Sequence, residues 1–78
     1  MTKKYQAPIV KKAFIILKAI AKSSQGLRIS EIASMLNISK STVHGIITAL
    51  SQQGAIIQSS TSKRYFIGMT IMELGKSA

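Results

Sequence analysis

The segment EIASMLNISKSTVHGIITAL, Glu31 to Leu50, decides how this chain folds. Ile32 and Leu36 are spaced as the apolar anchors of a short first helix, and Ala33 is small where a second helix must pass close to it. Asn37 follows, a residue that tolerates the left-handed backbone of a tight turn between helices. Ile38 plugs the space beneath that turn, and Ser39 is a good N-cap for a second helix running from Lys40 to about Gln53, which Gly54 closes. At about 100° per residue, Val43, Ile46, Ile47 and Leu50 fall on one side of this second helix, while Ser41, His44, Gly45 and Thr48 fall on the other. One side packs and the other is free. The pattern is that of a helix-turn-helix, whose second helix enters the major groove of DNA.

A free face of short hydroxyl side chains suits that groove, because it lets the backbone come close while Ser, Thr and His exchange hydrogen bonds with base edges or phosphates. Ser41, Thr42, His44 and Thr48 are the expected groove contacts, with Lys40 beside them on phosphate. Gly45 stands alone as an interior glycine, unfavourable to a helix by about 1 kcal/mol relative to alanine. Close approach to DNA is one reason for it; a simple loss of side-chain contacts is the other.

Downstream, Ala55-Ile56-Ile57-Gln58 and Tyr65-Phe66-Ile67 read as two strands around the polar segment 59–64, a hairpin that makes the motif a winged helix. Lys63 and Arg64 sit where the hairpin tip returns, beside the hydroxyls of Ser59 to Ser62, a grouping suited to phosphate oxygens. Upstream, Ile9, Val10, Ala13, Phe14, Leu17, Ile20 and Ala21 recur at three- and four-residue steps, which predicts an amphipathic helix from Ile9 to about Lys22. Its other side carries Lys11, Lys12, Lys18 and Lys22, read as a solvated face, and Ser23-Ser24-Gln25-Gly26 stops it. Leu27-Arg28-Ile29 is expected to be a short strand, Ser30 the next N-cap, and Glu31 to Leu36 the helix it opens; Arg28 joins the expected phosphate contacts. Phe14 and Phe66 are expected in the core, Tyr65 as a packing residue at the wing, and Met35, Met69 and Met72 as apolar fillers.

Composition bounds the function. A 78-residue chain buries only about 60 % of its unfolded surface, and with no cysteine and one histidine it has neither disulfide nor metal to reinforce it. Hydrophobic residues make up 46 %, enough for a packed core. The longest uncharged apolar runs, such as Ala13 to Leu17, fall far short of the ~20 residues of a membrane span. Eleven Lys and Arg against Glu31 and Glu73 give a net charge of +9, which favours a polyanionic partner, nucleic acid before an acidic membrane surface. Two separate carboxylates, one histidine and no thiol assemble no acid–base pair, metal cluster or nucleophile, so no enzyme and no cofactor are expected. The N-terminal residues lack the apolar stretch of a signal peptide, and a cytoplasmic location is expected.

Ile29-Ser30-Glu31-Ile32-Ala33, Ile38-Ser39-Lys40-Ser41-Thr42-Val43-His44, Leu50-Ser51-Gln52-Gln53-Gly54, Tyr65-Phe66-Ile67-Gly68-Met69 and Glu73-Leu74-Gly75 together resemble the N-terminal winged helix-turn-helix domain of IclR-type transcription regulators, over about Ile9 to Gly75. The resemblance implies a DNA-binding dimer and a helical linker to a larger C-terminal domain that senses a small organic effector. On that reading residues 1–8 are a basic flexible tail, 9–68 a mainly helical winged helix-turn-helix of three helices plus the wing, and 69–78 the start of the linker helix, with the effector domain missing. Relatives usually carry a larger, often basic side chain where Gly45 stands. The function expected is sequence-specific binding of double-stranded DNA, with helix 40–53 in the major groove and wing 59–64 on phosphates. Two competing uses of the same fold are protein–protein contact, with the charge serving solubility alone, and binding of structured RNA.

Overall fold

The computed structural model describes residues 7–78, and the expected tail lies outside them except for Ala7 and Pro8. Pro8 is in fact the first residue of helix α1 (Pro8–Lys22), where its fixed φ fits and its missing N–H leaves no bond unmade. Helix α2 spans Ile29–Leu36, α3 Lys40–Gln52 and α4 Met69–Lys76. Between α3 and α4, strands β1 (Ile56–Gln58) and β2 (Tyr65–Ile67) pair antiparallel, with Ile56 opposite Ile67, Ile57 opposite Phe66 and Gln58 opposite Tyr65. This is a mainly helical winged helix-turn-helix, as expected. Among the described residues no helix is long and apolar enough to cross a membrane.

Local chemistry sets the helix boundaries. Asn37 holds φ 54° and ψ 47° at the end of α2, and the Ile38 N–H donates to the Ala33 carbonyl at 3.0 Å, closing the turn. The Ser39 hydroxyl accepts from the Thr42 N–H at 3.3 Å and so caps α3. At the far end Gly54, with φ +74°, lets the Ala55 N–H reach back to the Leu50 carbonyl at 3.0 Å and its own N–H to Ser51 at 3.0 Å. The same turn anchors α4, because the Thr70 hydroxyl donates to the Gln53 carbonyl at 2.8 Å.

The core is shared by three helices and the wing root: Ile16, Leu17 and Ile20 from α1, Ile32 and Ala33 from α2, Val43, Ile46 and Ile47 from α3, with Leu27, Ala55 and Ile56. The expected face of α1 is only partly the buried one. Phe14 is 56 % exposed, whereas Ile16, its neighbour two residues on, is fully enclosed. Ile9, Val10 and Ala21 also face out. The helix is apolar nearly all round over Ala13 to Leu17, so its own periodicity does not select a face, and the helix turns the side bearing Ile16 and Ile20 to the core. Met35, Met69 and Met72 are exposed rather than core fillers, because α2 and α4 already bury or half-bury Ile32 and Ile71.

A second correction concerns 27–36. The expected strand Leu27-Arg28-Ile29 reduces to a single bridge, Leu27 opposite Tyr65, with N–H to carbonyl distances of 3.2 and 2.7 Å. The helix begins at Ile29, not Glu31, and its N-cap is Arg28, not Ser30. The Glu31 carboxylate decides this by accepting the Arg28 N–H at 2.8 Å from the third helical position. Gly26 makes the bridge possible, since at φ +77° a Cβ would stand 2.7 Å from the Phe66 ring and 2.9 Å from the Tyr65 carbonyl.

Candidate nucleic-acid interface

Helix α3 presents its polar side as the sequence pattern predicts. Ser41, His44, Gly45 and Thr48 are exposed, Thr42 is half-exposed at the first turn, and Lys40 leads the helix into solvent. Ser39, Ser41 and Thr42 form one hydroxyl cluster at the N-terminal end, with Ser39 Oγ 2.9 Å from Thr42 Oγ1 and 3.3 Å from Ser41 Oγ. The Thr48 hydroxyl donates to the His44 carbonyl at 2.8 Å. Its proton is thereby committed, which leaves lone pairs free to accept from a base amino group and a methyl free to meet a thymine methyl.

The wing adjoins α3 where Thr48, Ser51 and Gln52 share a cleft with Gln58 and Tyr65. Its turn is closed by the Lys63 N–H on the Ser59 carbonyl and the Ser59 N–H on the Arg64 carbonyl, both 2.9 Å. Two of the wing serines also help to build that turn as acceptors, Ser59 Oγ taking the Ser62 N–H at 3.3 Å and Ser62 Oγ the Arg64 N–H at 3.2 Å, which leaves their hydroxyl protons able to donate. Lys63 is exposed and held at φ 65° in the left-handed region. Arg28 is exposed too, and its Nε donates to the Ser62 carbonyl at 3.1 Å, so the N-terminus of α2 and the wing tip bring Arg28 and Lys63 to one place.

Arg64 behaves otherwise. Its Nη1 lies 2.9 Å from Glu31 Oε1 and 3.1 Å from the Gly26 carbonyl, which turns the guanidinium inward as a strut between wing and α2. The Glu31 carboxyl is held below the usual glutamate range, first by the Arg28 N–H it accepts and then by the Arg64 and Arg28 charges, against an opposing desolvation effect. The charge of this carboxylate is balanced by the Arg64 guanidinium.

Of the eight expected site residues, Arg28, Lys40, Ser41, His44, Thr48 and Lys63 are exposed, Thr42 is half-exposed, and Arg64 is drawn into the ion pair with Glu31. Ser51 and Gln52, absent from the expected contacts, continue the exposed side of α3 one turn beyond Thr48; the four-residue step from Thr48 to Gln52 is the signal that identifies them. On the α1 flank, Gly45 opens onto an apolar groove of about 560 Å³ between Ile9, Val10 and Ala13 of α1 and Ile46, Ala49 and Leu50 of α3.

Comparison with known proteins agrees with this geometry. The IclR helix-turn-helix domain matches residues 9–60. Among characterised proteins, the chain is 36 % identical over 66 residues to the glycerol operon regulatory protein of Streptomyces coelicolor, covering 85 % of this chain and 26 % of that protein. It is 32 % identical over 66 residues to the HTH-type transcriptional regulator XynR of Escherichia coli, again covering 85 % and 26 %. Among solved structures, IclR of Thermotoga maritima superposes with a TM-score of 0.80 at 33 % identity, over 90 % of this chain and 28 % of that one. An IclR transcriptional regulator from Alicyclobacillus acidocaldarius gives 0.82 at 27 % identity, over 92 % and 29 %. The chain spans about a quarter of the length of the curated relatives it matches.

Proposed function

The chain belongs to the IclR helix-turn-helix family, and from that premise we propose that it binds double-stranded DNA sequence-specifically as the DNA-reading part of a cytoplasmic transcription regulator. Binding, not catalysis, is the activity assigned to it. One observation carries the reading: the exposed side of α3, with Ser41, His44 and Thr48, is flanked by Lys40 and by the paired cations Arg28 and Lys63, while the charge of Glu31 is balanced by Arg64. Its support is that short polar side chains suited to base edges stand exposed on α3, and the cations Arg28 and Lys63 stand in a cleft that shares Gln58 and Tyr65 with the α3–wing cleft.

In this reading α3 lies in the major groove, Ser41, Thr42, His44 and Thr48 meet base edges or adjacent phosphates, and Lys40, Arg28 and Lys63 hold the backbone. A duplex library selected on the immobilised chain and competed with structured RNA of equal length tests it. Enrichment of a common duplex motif, with affinity falling steeply as salt rises, is expected. Salt-insensitive retention or preference for RNA would remove it.

A homodimer completes the proposal, because two half-sites about one helical turn apart gain affinity through effective concentration. Its support is apolar surface: Ile9, Val10 and Phe14 on α1 and Met69, Met72 and Leu74 on α4 all stand open to solvent, more than a small domain ordinarily leaves uncovered. A small-molecule effector acts, on the same reading, through a further domain of the full-length regulator. Sedimentation equilibrium of the chain against a version ending at Gly68 tests the α4 contribution, and equal monomeric behaviour at high micromolar concentration would remove these segments from the dimer contact.

A further inference from the structure

Two clefts open on either side of a single cross-strand pair. One, of about 410 Å³, lies between α3 and the wing and is lined by Thr48, Ser51 and Gln52 together with Gln58 and Tyr65. The other, of about 230 Å³, lies between the α2 N-terminus and the wing tip and is lined by Arg28, Ser30 and Lys63, again with Gln58 and Tyr65. Gln58 and Tyr65 face each other in the hairpin and form the ridge common to both. The polar side chains around this ridge are donors or hydroxyls, and among the described residues lining either cleft none carries a carboxylate.

Tyr65 is held from two directions. Its backbone pairs with Gln58 on one side and exchanges two hydrogen bonds with Leu27 on the other, and its ring packs, half-buried, against the core. A tyrosine so placed packs its apolar body and keeps its hydroxyl as a polar tip able to take a partner at the surface. Among the described residues no hydrogen bond joins the Tyr65 hydroxyl to the protein, whereas the facing Gln58 amide is engaged, donating to the Lys63 carbonyl at 3.1 Å. A rigid ring with an uncommitted donor, set between two carboxylate-free clefts and beside two cations, fits a phosphodiester.

We propose that Tyr65 is a DNA-backbone ligand: one strand runs over the Gln58–Tyr65 ridge beside the wing turn, with successive phosphates in the two clefts, and the Tyr65 hydroxyl donates to a phosphate oxygen between them. This rests on the reading of the chain as a duplex-DNA binder and adds to it a neutral contact that fixes the register of α3 without reading sequence. The role is distinct from packing, because only the hydroxyl is needed.

Tyr65→Phe in the full chain tests this. Anisotropy titrations on the selected duplex and on an unrelated one, each across a salt series, are expected to show affinity lower by about three- to tenfold on both, the size of one lost hydrogen bond. The salt slope is expected to be unchanged, because a neutral donor releases no counterion, and the melting temperature of the free protein unchanged as well. Equal affinity of variant and wild type on both duplexes overturns the proposal, as does a loss confined to the selected sequence, which would make Tyr65 a base reader. If the variant melts at lower temperature, phosphate-ethylation interference on the wild type decides: interference at adjacent phosphates beside the α3 footprint supports the ridge, and its absence there overturns it. Failure of the wild type to bind any duplex is a separate result, which removes the DNA reading itself and this contact with it.

Discussion

Arg64 reaches back 33 residues to Glu31, Nη1 to Oε1 at 2.9 Å, and so joins the turn of the wing to the first turn of α2. The same carboxylate oxygen accepts the Arg28 N–H at 2.8 Å, and the same guanidinium nitrogen donates to the Gly26 carbonyl at 3.1 Å. One ion pair therefore caps a helix, closes the loop before it and sets the wing against the helix-turn-helix. It also balances the carboxylate charge with the guanidinium.

Acid should loosen this joint. The folded state favours the ionised Glu31, so the folded pKa lies below the unfolded one, and the stabilisation is fully present above the ordinary glutamate value of about 4.3. It drains away as pH falls through the lowered folded value. Melting temperatures of the wild type and Glu31→Gln across the acid range are the measurement. The variant is expected to melt lower at neutral pH and to converge on the wild type in acid; a constant gap at every pH would place the titration elsewhere.

Lys63 and Arg64 are adjacent in sequence and should separate in experiment. Lys63→Asn retains a residue compatible with the left-handed backbone at φ 65°. It is expected to leave folding stability within about 0.5 kcal/mol while reducing the salt slope of DNA binding by about 0.9, one phosphate contact. Arg64→Ala is expected to lower the melting temperature and leave the slope nearly intact. Should both variants flatten the slope alike without a change in melting, Arg64 turns outward to phosphate when DNA is present.

What the sequence disclosed and what it withheld divides by range. Asn37 and Ser39 were legible because a turn and a cap are decided by residues within a few positions of each other, and the polar side of α3 because one helix carries the whole pattern. The buried face of α1 was not, since Phe14, Ile15 and Ile16 are all apolar and the choice among them is made by the elements packed against the helix. The inward turn of Arg64 and the single bridge from Leu27 to Tyr65 were equally hidden, each depending on a partner more than thirty residues away. The exposed residues of the candidate site were therefore legible on α3, and their arrangement between α2 and the wing was not.

The two sides of α3 should respond oppositely to truncation. His44→Ala and Thr48→Ala remove exposed groups and are expected to leave stability within about 0.5 kcal/mol while changing discrimination between duplex sequences by about 1 to 3 kcal/mol. Ile46→Ala and Val43→Ala empty core positions; the isoleucine change is expected to destabilise by about 2 to 5 kcal/mol without relaxing sequence preference in the protein that remains folded. Chemical denaturation paired with competition binding reads both effects, and equal destabilisation by the two sets would mean that the helix is rotated from the orientation described.

Gly45 offers the sharpest opposition between folding and binding. It lies inside α3 at a helical φ, and a Cβ built on it meets nothing within 4 Å, so alanine there costs no packing and removes only the conformational freedom of glycine. Gly45→Ala is expected to stabilise the fold by about 1 kcal/mol, raising the melting temperature by about 4 to 8 °C for a domain of this size. The same position sits between Ser41 and Thr48 on the exposed side, where a bare backbone allows α3 to lie deeper in a groove. A methyl added there holds the helix away from the bases, so the stabilised variant is expected to bind the selected duplex more weakly while its affinity for unrelated DNA changes little. Thermal melts and titrations of the one variant measure both quantities; a gain in stability with undiminished specific affinity would show that the DNA does not approach α3 at Gly45.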